Sequence, residues 1–375
     1  MAILYLTDTI KPEDYDFLVK KNINPGNPSH QNFHSRLIKA LATAEDVVIY
    51  SLAPRTGSYR LLDSSNYHYI ERESCPLFRG KAFKKEVKKL LKENNFSCVI
   101  TDNLSLTLNR VISSIAKGLT IPLIILLTDS PSYFQNVPSY YINMVKKTTL
   151  KGDAFIVLNK NLLPYFNVED KPNLVINGIA NDDEKLEKIS DAPYFYYGGT
   201  FLPRYGINNV LNAFIKSNAK YNFYLAGHHL TEDIKKLQDQ DPRIKYLGQV
   251  SEKENLTYIN NASLVINPRP KDEELLKYSF PSKLLEYMTY GKAILTVENH
   301  PFTDGYKDSL NLLNDGKEED FTSFFKEHLD QEGHLKDVKL NKDQTLMKET
   351  FGLNAAGKKI EEFIKELNKD FEDVK

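Results

Sequence analysis

Short apolar runs alternate along the chain with longer stretches whose apolar residues recur at helical spacing. Apolar runs without polar alternation favour strands of a parallel sheet that is covered on both faces, and the intervening helical stretches favour β-α units. In the first half, strands are predicted at 2–6, 47–51, 98–101, 123–128, 155–158 and 174–176, with helices at 33–42 and 82–92 among them.

A second series of the same kind follows after residue 193. Strands are predicted at 194–197, 223–226, 244–247, 264–266 and 293–296, separated by helices at 208–217, 253–260 and 281–290. The stretch 178–193 between the two series is charged and poor in apolar residues, which is typical of a linker. The pattern predicts an α/β protein with two Rossmann-like parallel-sheet domains that face a cleft. Ligands of such sheets bind outside the carboxyl ends of the strands.

The length supports this division, because 375 residues are more than one hydrophobic core usually serves. We therefore predict an N-terminal domain at 1–178, a linker at 179–193, a second domain at 194–350 and a C-terminal helical segment at 351–375.

Composition excludes several classes of protein. Forty-nine Lys and Arg against fifty Asp and Glu argue against a general nucleic-acid binder. No apolar run approaches the roughly 20 residues of a spanning helix, and the N-terminus lacks the basic region of a signal peptide. The two cysteines, Cys75 and Cys98, have no metal-type spacing. We expect a cytoplasmic protein with reduced thiols and without a metal site or cofactor.

The stretch 265–291 carries the richest candidate chemistry. A predicted strand ends at Asn267, a loop runs through Arg269, and a helix opens near Pro281. Proline is favoured in the first turn of a helix, where free backbone N–H groups bind phosphate and the Lys283 ammonium would add charge. One turn further on, the Glu286 carboxylate could accept hydrogen bonds from both hydroxyls of a ribose. An ordinary amphipathic helix with solvated charges is the alternative.

The same stretch resembles a known family. Arg269 and the segment KYSFPSKLLEYMTYGKAIL (277–295) are similar to the donor-binding segment of glycosyltransferase family 4, especially its capsule and exopolysaccharide branch. Residues 196–214, 223–229 and 244–268 resemble, in order, the opening strand–Gly-loop–helix and the next two strand–loop units of that family's second domain. The resemblance is good over 194–297 and vague over the first domain. It implies the GT-B fold and retaining, metal-independent transfer from a nucleotide-diphosphate sugar.

The chain departs from the family pattern at several positions. Many relatives carry a pair of glutamates, of which the second matches Glu286 and the first falls on Tyr278. The Arg and Lys that many relatives place in the first Gly-loop fall on Thr200 and Tyr205, next to Arg204. Because neither position carries a positive charge here, the sequence does not assign a diphosphate-binding cation to this loop.

The expected reaction defines the predicted site. Cleavage of a nucleotide-sugar bond puts negative charge on a diphosphate, and without an acidic pair for Mg²⁺ this charge needs fixed cations and backbone dipoles. We predict Arg269, Lys283 and Glu286 as the catalytic residues, with Glu286 holding the ribose, and a UDP-sugar as the donor. The other predicted donor-binding residues are Gly198, Gly199, Thr200, Arg204, Gln249, Val250, Tyr278, Ser279, Phe280 and Ser282.

The acceptor side is more weakly marked. His34 lies near a helix start after the Gly/Pro-rich loop 24–30, and Asp102 and Asp129 end predicted strands. These three are the candidate acceptor residues. Alternatively, His34 is a partly exposed helix residue and the aspartates cap the segments that follow. The resemblance implies a saccharide or lipid-linked saccharide acceptor in cell-surface polysaccharide synthesis, with domain closure excluding water.

Two further points concern location and alternative activities. The segment KAFKKEVKKLLK (81–92) carries six lysines and one glutamate beside an apolar helix face. It predicts either peripheral attraction to an anionic membrane or an ordinary solvated face. The alternative functions are a nucleotide-sugar epimerase of GT-B fold, which needs paired acid/base residues, and a catalytically inactive transferase-like partner subunit.

Overall fold

The computed structural model describes residues 1–21, 23–54, 56, 59–71, 80–131, 137–189, 193–228, 230–271, 277–278, 280–298 and 302–373. The chain divides into two compact units. The N-terminal unit comprises 1–179, 277–280 and 351–375, and the C-terminal unit comprises 180–276 and 281–350. In the part of the chain that is described, no helix is long and apolar enough to cross a membrane.

The N-terminal unit is built on a seven-stranded parallel sheet with the order β3-β2-β1-β4-β5-β6-β7. Tyr5 on the central strand lies beside Ile49 on one neighbour and Ile100 on the other. The strands are β1 (Ala2–Thr7), β2 (Val47–Ala53), β3 (Tyr67–Glu71), β4 (Phe96–Asp102), β5 (Leu123–Leu127), β6 (Ala154–Val157) and β7 (Asn173–Val175). The helices are α1 (Pro12–Lys20), α2 (Pro28–Ala42), α3 (Lys81–Glu93), α4 (Leu106–Ile115), α5 (Ser139–Thr149) and α6 (Leu162–Phe166).

The C-terminal unit is built on a six-stranded parallel sheet with the order β10-β9-β8-β11-β12-β13. Its strands are β8 (Tyr194–Gly198), β9 (Asn222–Ala226), β10 (Ile244–Gly248), β11 (Leu264–Asn267), β12 (Ile294–Val297) and β13 (Asn311–Leu313). Its helices are α7 (Ile207–Lys216), α8 (Glu232–Gln240), α9 (Glu252–Asn261), α10 (Ser282–Tyr290), α11 (Glu318–His328) and α12 (Gln344–Phe351), the last of which ends at the boundary of the unit. The final helix, α13 (Leu353–Asp373), belongs to the N-terminal unit.

Both faces of the N-terminal sheet are covered, which explains why its strands are apolar without alternation. One face packs against α2 and α13. Three residues of α13, Ile360, Ile364 and Leu367, are almost fully buried there. The close approach of these two helices requires Gly357, since a Cβ there would overlap the backbone carbonyl of Ala40 in α2. The other face packs against α3 to α6, with Phe83 and Val87 of α3 fully buried.

The structure confirms the predicted α/β architecture of two Rossmann-like parallel sheets. Some elements were missed. Strand β3 has the polar sequence YHYIE and lies at a sheet edge, and β13 has only three residues. Neither carries the apolar run that marks the interior strands, because an edge strand is only partly covered.

Candidate functional site

The first candidate site lies in the C-terminal unit, where the strand order reverses between β8 and β11. Such a switch point is where open parallel sheets bind ligands, because the loops after the two strands run in opposite directions. Strand β8 ends at Gly198, and the Gly-loop after it contains Gly199 and a 3₁₀ turn at Pro203–Tyr205; the loop after β11 contains Arg269. The two loops touch at Gly206, whose φ of +76° favours glycine and where a Cβ would overlap the Pro268 carbonyl oxygen.

Lys283, in the first turn of α10, reaches back to the Gly-loop. Its Nζ lies 3.4 Å from the Tyr197 hydroxyl and directly over Gly199, where a Cβ would overlap the ammonium. Burial lowers the pKa of Lys283 to about 8; the Glu286 carboxylate opposes this shift and Arg269 adds to it. An ammonium in such surroundings gains more from an anion than an exposed lysine would.

Three cationic side chains lie close to the ring of Tyr205. The guanidinium carbon of Arg204 lies 5.2 Å from its ring centroid, that of Arg269 lies 5.6 Å away, and Nζ of Lys283 lies 5.7 Å away. Arg204 also lies with Nη2 3.4 Å from the Tyr205 hydroxyl. The Tyr205 ring therefore offers an aromatic face that attracts the neighbouring cations.

The start of α10 differs slightly from the prediction. Pro281 occupies the N-cap position rather than the first turn, and the helix begins at Ser282, which is exposed. Pro281 has no side-chain hydrogen bond with which to cap this end. Because the first N–H groups of a helix have no acceptor within it, those that follow Pro281 are available to an anion.

Glu286 is held by a chain of hydrogen bonds. The Tyr196 hydroxyl donates to Oδ1 of Asn255 (2.8 Å), and Nδ2 of Asn255 donates to Oε2 of Glu286 (3.2 Å). Tyr196 is itself fully buried and stacks on Tyr258 with 5.6 Å between ring centroids. The carboxylate is therefore oriented by the half-buried Asn255, which the buried Tyr196 holds in turn. Nothing in the sequence pattern pointed to Asn255 or Tyr196, since the contacts join separate strands and helices.

The remaining predicted donor residues fall in two groups. Gly198 donates its N–H to the Tyr287 hydroxyl (3.2 Å), and the Thr200 carbonyl accepts from the Tyr197 hydroxyl (2.7 Å). Gln249 and Val250 are half-buried in the loop between β10 and α9, and the preceding Gly248 accepts from the Gly227 N–H beside the Gly-loop.

Tyr278 and Phe280, in contrast, belong to the N-terminal unit. Tyr278 packs on Tyr165 and Phe280 on Phe351, with ring centroids 5.5 and 6.5 Å apart. Ser279 lies outside the described residues.

A second polar cluster lies in the N-terminal unit, again where the strand order reverses, between β1 and β4. His34 and Asp102 are fully buried there, with Nε2 3.5 Å from Oδ2. Nδ1 of His34 lies 2.6 Å from the Tyr5 hydroxyl. Burial lowers the pKa of His34, so its imidazole is neutral at neutral pH. The alternative of a partly exposed His34 is wrong, because α2 turns this residue onto the sheet.

His30, one turn earlier on α2, was not singled out by the sequence. Its Nε2 lies 3.1 Å from the Asp8 carboxylate, just after β1, and its ring lies 4.3 Å from that of His34. Burial raises the pKa of Asp8, but the hydrogen bonds with His30 and Ser105 and the neighbouring imidazoles together lower it to about 2. Burial would likewise lower the pKa of His30, and the Asp8 carboxylate raises it instead. The hydrogen-bonded His30 and Asp8 thus border the buried pair of His34 and Asp102.

The two predicted aspartates differ in their surroundings. Asp102 accepts a hydrogen bond from the Leu104 N–H (2.6 Å), so the capping role is present in the structure. Asp129 follows β5 and is half-buried.

Comparison with known proteins places the C-terminal unit in a family context. Residues 178–345 match the family model described as glycosyl transferases group 1. This segment includes Gly198–Gly199, Arg269, Lys283 and Glu286. No curated protein matches the chain significantly.

Solved structures resemble the whole chain at low sequence identity. A glycosyltransferase from Rickettsia africae has a TM-score of 0.67 at 14% identity, covering 98% of this chain and 99% of its own. HepE from Anabaena, in complex with UDP, has a TM-score of 0.65 at 14% identity, covering 98% and 100%. Sucrose-phosphate synthase from Thermosynechococcus elongatus has a TM-score of 0.62 at 12% identity, covering 100% and 98%. The chain therefore has the two-domain fold of GT-B glycosyltransferases.

Proposed function

We propose that this protein is a glycosyltransferase that uses a nucleotide-diphosphate sugar. The observation that carries the proposal is the group of Lys283, Arg269 and Arg204 around Tyr205, beside the start of α10. The family match over residues 178–345 supports it. HepE, which shares the fold, is described in complex with UDP and with UDP-glucose, and this favours a UDP-sugar as the donor here.

The geometry suits stabilisation of a leaving diphosphate. When the bond between the anomeric carbon and the phosphate oxygen breaks, charge grows on that oxygen. Lys283, Arg269 and the first N–H groups of α10 are already fixed around one place and need little reorganisation to receive it. Glu286, oriented by Asn255, would accept hydrogen bonds from the ribose hydroxyls. We propose that these groups act without a divalent cation at the diphosphate.

The finer assignment rests on the resemblance to glycosyltransferase family 4 and its capsule-type branch. We propose transfer of a hexose with retention of configuration. The departing phosphate oxygen would take the proton of the acceptor hydroxyl on the same face of the sugar, so no protein nucleophile is needed. The acceptor would be a saccharide or lipid-linked saccharide of cell-surface polysaccharide synthesis, bound by the N-terminal domain near the half-buried Asp129; His34 and Asp102 are fully buried and would not touch it. Product with inverted configuration, measured by NMR, would contradict this mechanism.

Calorimetric titration of the full chain with UDP tests the site. Lys283→Ala and Arg269→Ala should each weaken binding about tenfold to a hundredfold, because a lost charge-assisted hydrogen bond costs about 1.5–3 kcal/mol. Lys235→Ala, which removes an exposed lysine paired with Glu232, is the matched control and should bind like wild type. If both site variants bound UDP with wild-type affinity, the assignment of Lys283 and Arg269 to the donor site would be wrong.

The role of Glu286 has its own test. If the carboxylate holds the ribose, wild type should prefer UDP to 2′-deoxy-UDP, and Glu286→Gln should lose most of that preference. Affinity for UDP should be the same with Mg²⁺ and with EDTA. Interconversion of UDP-sugars in the absence of an acceptor would favour an epimerase, and absence of any nucleotide binding would favour an inactive partner subunit.

A further inference from the structure

We propose that His30, His34 and Asp102 form a binding site for one divalent transition-metal ion, with zinc as the reference ion. Each of the three offers a ligand atom, and these atoms lie within 4.8 Å of one another. Two imidazoles and one carboxylate are a ligand set that zinc accepts, with a fourth position left for water or a substrate oxygen. His30 and His34 stand four residues apart on α2, a spacing that places both on one helix face, whereas Asp102 joins them from the end of β4, which sequence spacing does not reveal.

The separation of His34 and Asp102 is the first argument. Nε2 and Oδ2 lie 3.5 Å apart, beyond the usual ~2.7–3.2 Å of an N–H···O hydrogen bond. Ligand atoms bound about 2.0–2.2 Å from a tetrahedral zinc are about 3.3–3.6 Å apart. The observed distance therefore fits a shared ion better than it fits a direct bond.

The second argument is the state of these two atoms. Both side chains are fully buried, and in the described part of the chain neither Nε2 of His34 nor Oδ2 of Asp102 has a hydrogen-bond partner. A buried polar atom without a partner carries a desolvation cost that proteins rarely leave uncompensated. One cation between the two atoms would satisfy both.

The surrounding groups hold the three ligands as metal sites require. Donation from Nδ1 of His34 to the Tyr5 hydroxyl would leave the lone pair on Nε2, which faces Asp102. The Leu104 N–H occupies the other oxygen of Asp102. The Asp8 carboxylate bonds one nitrogen of His30, the outer partner that metal-binding histidines commonly have.

Solvent reaches the proposed site at His30. Its side chain is 27% exposed, whereas His34 and Asp102 are closed to solvent. An ion would enter past His30. Because the His30 side chain is partly exposed, it can move toward His34 and Asp102 and bring its ligand atom closer to theirs. The proposal rests on the N-terminal unit alone and does not depend on the proposed donor site.

Metal content of the full-length protein tests the site. The chain is stripped with EDTA, dialysed, titrated with Zn²⁺ or Co²⁺, and its retained metal measured by mass spectrometry after gel filtration. We expect one ion per chain and, for Co²⁺, visible absorption of a four-coordinate site. His30→Gln and Asp102→Asn should weaken binding at least tenfold. Asp8→Asn, which changes only the outer partner, should weaken it about tenfold to a hundredfold.

The control is His68→Gln, a partly exposed histidine of the same unit that faces Asp63 instead. It should retain metal like wild type. His30 is partly exposed, so its variant should fold, which circular dichroism and unchanged UDP affinity would verify. Failure of wild type to retain one ion per chain, or equal retention by His30→Gln, would overturn the metal site. Neither result would bear on the donor site, which UDP binding reports separately.

Discussion

Gly199 leaves the space that the Lys283 ammonium occupies. In Gly199→Ala the new Cβ would overlap Nζ, the flexible end of a side chain, so the lysine should swing away while the fold persists. We expect about tenfold weaker binding of UDP, because the ammonium loses its place beside the diphosphate. Calorimetry and thermal unfolding measure the two effects. Gly305→Ala, where a Cβ meets nothing within 4 Å, is the control; unchanged UDP affinity in Gly199→Ala would contradict this placement of Lys283.

The lowered pKa of Lys283 makes a prediction about pH. The free protein loses the Lys283 proton as pH rises through about 8, whereas a bound diphosphate favours the charged form. The affinity for UDP should therefore be nearly constant from about pH 7, where the terminal phosphate has lost its second proton, to pH 8, and fall between pH 8 and 9 by at most about tenfold per pH unit. Titrations at several pH values measure this.

Lys283→Arg serves as the comparison, because a guanidinium stays charged over the whole range. The affinity of Lys283→Arg for UDP should not fall between pH 8 and 9, whatever its absolute value. A wild-type affinity that is flat up to pH 9 would contradict the lowered pKa of Lys283 or its contact with the diphosphate, and the affinity of Lys283→Ala separates the two.

Sequence reasoning reached some of these residues and not others. Arg269, Lys283 and Glu286 could be named because each lies at a fixed place in a strand–loop–helix segment. Tyr205 and Asn255 could not, since their roles come from side chains that meet only after the sheet has formed. The N-terminal cluster shows the same limit: His34 and Asp102 were both named, but His30 was not, and the contact between His34 and Asp102 forms only when α2 packs beside the end of β4.

Among the elements, helix α3 has one face buried in the core and one face exposed to solvent. Phe83 and Val87 are buried in the N-terminal core, and most of its lysines are exposed, with Lys89 lying 3.9 and 4.0 Å from Glu86 and Glu93. The packing role predicted for this helix is present, and its membrane role stays a prediction. Helix α3 is fixed by its core contacts, so any membrane binding should be peripheral and electrostatic.

Vesicle sedimentation tests that role. The full chain should bind anionic vesicles at low salt and leave them at high salt, because each lysine near the surface contributes about 1 kcal/mol and salt screens it. Changing Lys84, Lys85, Lys88 and Lys89 to Gln should abolish binding. Replacement of exposed lysines elsewhere, at Lys235 and Lys236, is the control. Equal binding by the α3 variant would exclude this helix as the contact.

Element boundaries were less predictable than element types. The interior strands follow from apolar runs, but helix α10 begins one residue later than its proline suggested. A proline is compatible with both the N-cap and the first turn, and only the local backbone decides between them.

At the scale of the whole molecule, the last helix completes the unit in which the chain began. Ile360 of α13 is fully buried against the N-terminal sheet. Ile360→Ala should lower the stability of that unit by about 2–5 kcal/mol, because it leaves a cavity in a packed core. Thermal unfolding measures the loss. The affinity for UDP should not change, and a large fall in that affinity would mean that the two units do not act separately in binding.

The return of α13 also sets an order of events during synthesis. Helix α2 leaves the ribosome about 300 residues before α13, its partner on the same face of the sheet. At about 5–20 residues per second, that face waits on the order of 15–60 s for its cover, while the whole C-terminal sheet has already emerged. The unit made first is thus the unit finished last. Nascent chains that stall before residue 353 would expose the apolar surface of α2 and β4, the surface that chaperones recognise.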